Sequence, residues 1–167
     1  MQAGVIMRSI QHTITVNAGI KEVWRAWTTE GGCITFFAPS CSIELVVGGA
    51  YEMYFLSDAK PGFRGGEGCT ILACQPQKML SFTWNAPPEM PEIRAQFTHV
   101  TVYFESEGEK KTRIILLHDG WGGGELWDRA FHYFDRAWGK IVLPRLQQRF
   151  DSGPIDWSKP TSSQREN

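Results

Sequence analysis

The stretch that decides the fold is GELWDRAFHYFDRAWGKIVLPRLQQRF, residues 124–150. Its apolar positions Trp127, Phe131, Phe134, Trp138, Ile141, Val142 and Leu146 are separated by steps of four, three, four, three, one and four. That spacing is one stripe on a helix of ~3.6 residues per turn. Charged residues, among them Asp128, Asp135, Lys140 and Arg149, mostly fill the other faces. A helix of about 25 residues rises about 38 Å, enough to cross a small domain. Pro144 removes one backbone hydrogen bond and predicts a kink near Lys140, and Gly153-Pro154 predicts the helix end.

The sequence on the N-terminal side reads mostly as strands. Segment 112–118 puts Ile114, Leu116 and His118 on one face, and 94–106 does the same with Val100, Val102 and Phe104. A polar turn at 107–110 joins them, and the glycine-rich 120–124 leads into the helix. Segment 79–85 aligns Leu80, Phe82 and Trp84, and segment 50–56 aligns Tyr51, Met53 and Phe55. Segments 67–74 and 41–47 complete the run, with Gly48-Gly49 expected as a two-residue hairpin turn. Loops are expected at 57–66 and at the proline-rich 86–92. Earlier in the chain, 10–16 reads as a first strand. Asn17 is the expected N-cap of a helix at 18–28, where Ile20, Val23, Trp24 and Trp27 share a face. Gly31-Gly32 should end that helix, and 33–38 should form a second helical turn. Six consecutive strands with short turns leave no room for parallel crossovers, so the sheet is antiparallel and the class is α+β.

Composition bounds the function. The 167 residues suit one domain, expected at 1–157 with a polar, disordered tail at 158–167. A net charge of −1 gives no electrostatic support for a nucleic-acid partner. No apolar run is long enough for a membrane span, and the N-terminus does not read as a secretory signal. Cys33, Cys41, Cys69 and Cys74 form no C-x-x-C pair and read as free thiols in a cytoplasmic protein. His12, His99, His118 and His132 are scattered over different elements, so neither a metal nor another cofactor is expected. There is no G-x-S-x-G, and the 120–124 glycines lack the spacing of a phosphate loop. Seven Trp and ten Phe imply a tight aromatic core or an aromatic-lined pocket.

Four motifs carry a family resemblance: Val16-Asn17-Ala18-Gly19-Ile20-Lys21-Glu22-Val23-Trp24 with the following Arg25 to Thr28, Gly48-Gly49 before an aromatic strand, Leu80-Ser81-Phe82-Thr83-Trp84, and Thr112 through Trp121 leading into the long helix. In this order the chain resembles the START-like (SRPBCC, helix-grip, birch-pollen-allergen-like) superfamily. Within it, the similarity is to the branch of the activator of the ninety-kilodalton heat-shock protein's ATPase. The resemblance implies a curved antiparallel sheet of six or seven strands wrapped around the C-terminal helix. A cavity commonly lies between them in this superfamily. It also implies that a homodimer or a contact with the heat-shock protein is compatible with the chain.

Three functions follow as expectations. The first is binding of a hydrophobic or aromatic small molecule between sheet and helix, driven by apolar burial at roughly 25 cal/mol per Å². The sheet would contribute Tyr51, Met53, Phe55, Phe82, Trp84, Val102 and Leu116 to the ligand site. Phe37, His118 and Trp121 would add to it, and the helix would present Trp127, Phe131 and Phe134. His118, Tyr51 and the ring N–H of Trp84 would orient the ligand, and Trp84→Ala and Phe131→Ala should abolish binding. The second is a cyclase, dehydratase or hydrolase using the same cavity, with His118 as its weak catalytic candidate. The third is a co-chaperone-like interaction. Glu52, Glu67 and Arg94 become site residues only if they turn inward, since a buried charge needs a partner.

Overall fold

Apolar–polar alternation builds the sheet strand by strand. The computed structural model describes residues 8–159. In chain order the elements are β1 (Ile10–Val16), α1 (Ile20–Thr28), α2 (Glu30–Cys33), β2 (Ser40–Ile43), β3 (Tyr51–Tyr54), β4 (Ile71–Gln75), β5 (Met79–Trp84), α3 (Pro91–Arg94), β6 (Thr98–Gly108), β7 (Lys111–Asp119), α4 (Glu125–Arg136), a π turn (Ala137–Val142) and α5 (Leu143–Ser152). Five strands form one antiparallel sheet in the order β1-β7-β6-β5-β4, and β2-β3 form a small antiparallel second sheet. Bridges between Ala50 and Thr70 and between Tyr54 and Gly65 tie the small sheet to the segment entering β4. The strand content is as expected, but it is split between two sheets because pairing between β3 and the segment entering β4 is reduced to isolated bridges. The mixed α+β architecture with its long C-terminal helix is that of a helix-grip fold.

Burial follows the inward faces. Leu80, Phe82, Val100, Val102, Ile114 and Leu116 are wholly buried under the helix stripe. In the strand at 67–74 it is Cys69 and Ile71 that face inward, while Leu72 is exposed. Around Trp27, the rings of Phe36 and Phe37 pack edge-on at 5.1 and 5.5 Å.

Several boundaries differ from the expectation, each for a local reason. Asn17 is not the cap of α1. Gly19 takes that place without a side-chain bond, and Asn17 instead donates to Asp151 Oδ1 at 2.9 Å, pinning β1 to the end of α5. Gly31 and Gly32 lie inside α2 rather than ending α1, because the Thr29 hydroxyl accepts from Gly32 N at 2.9 Å and starts a new turn. Gly48-Gly49 is not a two-residue turn. Glu44 N donates to Ala50 O across a longer loop, and a Cβ on Gly49 would stand 2.2 Å from Glu44 O. The glycine therefore serves a close backbone approach, and Leu45, Val46 and Val47 are exposed loop residues, not strand. The start of the 94–106 segment is helical: Pro91 sits in the first turn of α3, where its missing N–H costs nothing.

The long helix is interrupted where the proline predicts. Pro144 cannot donate to Lys140 O, and the preceding turns widen so that Leu143 N bonds Trp138 O. Gly153, at φ 113°, ends α5 with its N–H on Arg149 O at 3.0 Å. The expected polar tail lies outside the described residues from 160 onward.

Candidate functional site

The helix is keyed to the sheet through Trp138. Its Nε1–H donates to His118 Nδ1 at 3.0 Å. Nδ1 is thus the acceptor, so the ring proton sits on Nε2, which donates to Thr98 Oγ1 at 2.6 Å. The Thr98 hydroxyl in turn donates to the Trp84 carbonyl at 3.3 Å. Trp121 stacks on the imidazole at 4.3 Å, and its own N–H donates to the His118 carbonyl at 3.0 Å. His118 is 0% exposed. Burial, with a smaller contribution from His99, pulls its pKa down to about 3, so the ring is neutral. Both nitrogens are engaged with protein, which leaves neither for a ligand or a proton transfer.

On the flank of the helix lies a cleft of about 890 Å³. One wall is the helix surface around the π turn: Tyr133, Phe134, Ala137, Trp138 and Ile141. The π turn displaces the helix register here, a feature common at functional sites. The loop carrying Phe55, Leu56, Asp58, Phe63 and Arg64 lines it too, as do Trp84, Asn85, Pro87, Pro88 and Glu89. Trp84 and Trp138 lie 5.5 Å apart, and Phe55 meets Trp84 edge-on at 6.2 Å. Arg145 and Trp157 also line the cleft, the guanidinium 5.0 Å above the indole ring.

The loop wall is held by a charge clamp. Glu67 Oε1 accepts from Arg64 N at 2.9 Å and Gly65 N at 2.8 Å, and Oε2 accepts from Gly62 N. Arg94 donates to the carbonyls of Gly62 at 3.0 Å, Gly65 at 2.7 Å and Ala86, and stands 3.4 Å from Glu67. The two charges turn inward and satisfy each other and the loop backbone, so they shape the cleft without lining it. Glu52 accepts from Tyr54 at 2.6 Å beside them. Arg94→Met is expected to cost about 2 kcal/mol and to speed amide hydrogen exchange at 62–65, measured by denaturant unfolding and exchange mass spectrometry.

Of the expected site residues, Phe55, Trp84 and Phe134 line the cleft. Phe37, Met53, Phe82, Val102 and Leu116 are packed into the solid core, where the inward strand faces meet the helix directly. Tyr51 is buried with them, its hydroxyl committed to Trp27 O at 2.8 Å. Trp121, Trp127 and Phe131 gather at the start of the helix, away from the cleft. Trp127 packs with Met90 and Ile93, and Phe131 lies 5.3 Å from Trp121 and under Arg8. Sequence reading missed Leu56, Phe63, Tyr133 and Trp157. Two large apolar residues in an otherwise glycine- and proline-rich loop were the available signal. Among the described residues, no group of His, Cys, Asp and Glu could hold a metal ion, and no helix is long and apolar enough to cross a membrane.

Comparison with known proteins agrees with this architecture. No curated protein matches the chain in sequence. A solved protein from Mesorhizobium loti is 20% identical with a TM-score of 0.69, covering 89% of this chain and 100% of its own. The Aha1 dimer from Colwellia psychrerythraea is 20% identical with a TM-score of 0.64, over 88% and 98% of the two chains. An HSP90 activator from Plasmodium falciparum is 15% identical with a TM-score of 0.63, over 88% and 97%. At such identities these likenesses establish the fold alone. The family model for Activator of Hsp90 ATPase homolog 1-like protein matches residues 17–151, nearly the whole folded region, and the chain belongs to that family.

Proposed function

We propose that the chain is a cytoplasmic, single-domain protein that binds a hydrophobic or aromatic small molecule in the cleft flanking the π turn. The observation that carries this reading is the cleft itself. Its volume of about 890 Å³ suits a drug-sized ligand, and rings and aliphatic side chains supply most of its walls, with Asp58, Arg64, Asn85, Glu89 and Arg145 as polar groups among them. The site sits beside the helix, supported on the core rather than inside it, because the space under the helix is filled. Four free thiols support a reducing compartment. Binding is favoured over catalysis because His118 is sealed, no His or Cys lines the cleft among the described residues, and the carboxylates that do, Asp58 and Glu89, are exposed side chains.

The test is fluorescence titration with N-phenyl-1-naphthylamine. Saturable one-to-one binding is expected. Ile141→Trp, which fills the cleft from the helix side, should weaken it about tenfold, or ~1.4 kcal/mol. Phe131→Ala, lying away from the cleft, should leave it unchanged. Equal affinity in wild type and Ile141→Trp would remove the proposed site.

Family membership favours a second reading, a contact with a heat-shock ATPase, either by the monomer or by a homodimer. Co-purification with the chaperone and stimulation of its ATPase are the expected results, and recovery of nothing at micromolar concentrations would remove it.

A further inference from the structure

We infer that Trp84 is a specificity-determining donor of the cleft, and that the ligand is an aromatic molecule bearing a hydrogen-bond acceptor such as a ring carbonyl. The inference rests on the cleft being a ligand site and deepens that reading.

Two indole rings, Trp84 and Trp138, meet at 5.5 Å with their planes tilted by 47°, and both line the cleft, yet their N–H groups differ. That of Trp138 is spent on His118 at 3.0 Å, so this ring offers only apolar surface. That of Trp84 has no acceptor among the described residues. Trp84 as a whole is only 4% exposed. Even so, its Nε1 is not sealed off from solvent, unlike the Nε1 of Trp27, which is buried without a partner. Because the ring lines the cleft and is otherwise covered by protein, its open nitrogen is assigned to the cleft side.

The consequence is selection by rejection. In the empty protein, water can accept from Trp84. A pure hydrocarbon covering the ring strips that water and leaves a buried donor unpaired, which is costly. A ligand carrying an acceptor over the same spot replaces the water bond. Sites built around an unpaired polar group discriminate more sharply than apolar walls do. The rings of Phe55 and Trp138 beside it give an aromatic ligand further ring contacts.

The test uses 9-fluorenone and its hydrocarbon analogue fluorene. By calorimetric titration, Trp84→Phe should weaken fluorenone about five- to tenfold while changing fluorene less than twofold. In ¹⁵N-labelled wild type, the Trp84 indole N–H resonance, assigned through its contacts with neighbouring ring protons, should move downfield with fluorenone and not with fluorene. That readout decides the matter even if the variant does not fold. Equal losses for both probes, or equal resonance shifts, would overturn the donor role while leaving the cleft as a binding site. Failure of both probes to bind wild type would overturn the cleft reading and the donor together.

Discussion

Replacing His118 with leucine should remove about 3 kcal/mol of unfolding free energy. The ring joins three elements. It accepts from Trp138 on the helix and donates to Thr98 on β6 while sitting on β7 itself. Leucine has similar bulk but no nitrogen. Trp138 would keep a buried N–H without an acceptor, and Thr98 would lose its donor while keeping its bond to the Trp84 carbonyl. Unsatisfied buried groups cost about 1–3 kcal/mol each, and the stacked contact with Trp121 would be altered as well. Chemical denaturation read by near-ultraviolet circular dichroism measures the effect. His118→Asn, whose amide oxygen can still accept from Trp138, should lose less. A leucine variant as stable as wild type would show that the polar thread contributes nothing.

The same residue makes the fold acid-sensitive. In the folded state its pKa is about 3, against an ordinary histidine value of 6.5. The unfolded chain therefore binds a proton between those values that the native protein refuses. Stability from this group is fully present above pH 6.5 and is lost as pH falls toward 3. At ~1.4 kcal/mol per unit, the loss reaches up to about 5 kcal/mol at the acid end. Carboxylates titrate in the lower part of the window too, so the informative quantity is a difference. Wild type should lose more stability than His118→Asn between pH 7 and pH 4.5, and parallel profiles would contradict the buried neutral ring.

The fold was legible in the sequence because it is written in periodicity. The 3.6-residue stripe from Trp127 to Leu146 and the two-residue alternation of Leu80/Phe82/Trp84 and Val100/Val102/Phe104 report which side chains must leave water. The β2–β3 turn was misread because the paired glycines answer to a long-range backbone approach that no local rule contains. The site was legible only in part for a related reason. Alternation says that Tyr51, Phe82 and Leu116 point inward, but not whether they meet a ligand or the helix. That depends on how closely the helix seats, and Trp138 seats it against Phe37 at 5.7 Å, leaving no cavity beneath. The space that remains lies beside the helix, walled by loop residues such as Leu56 and Phe63, which follow no period. Trp84 was found because it belongs to both patterns: it ends an alternating strand and opens onto the loop-lined space.

The measurement that bears most directly on the central claim is a two-dimensional amide NMR titration of the labelled protein with N-phenyl-1-naphthylamine. The account predicts saturable shifts confined to three stretches: 55–65, 84–89 and 133–145. Shifts concentrated instead around Trp121, Trp127 and Phe131, or no shifts at the probe's solubility limit, would contradict it.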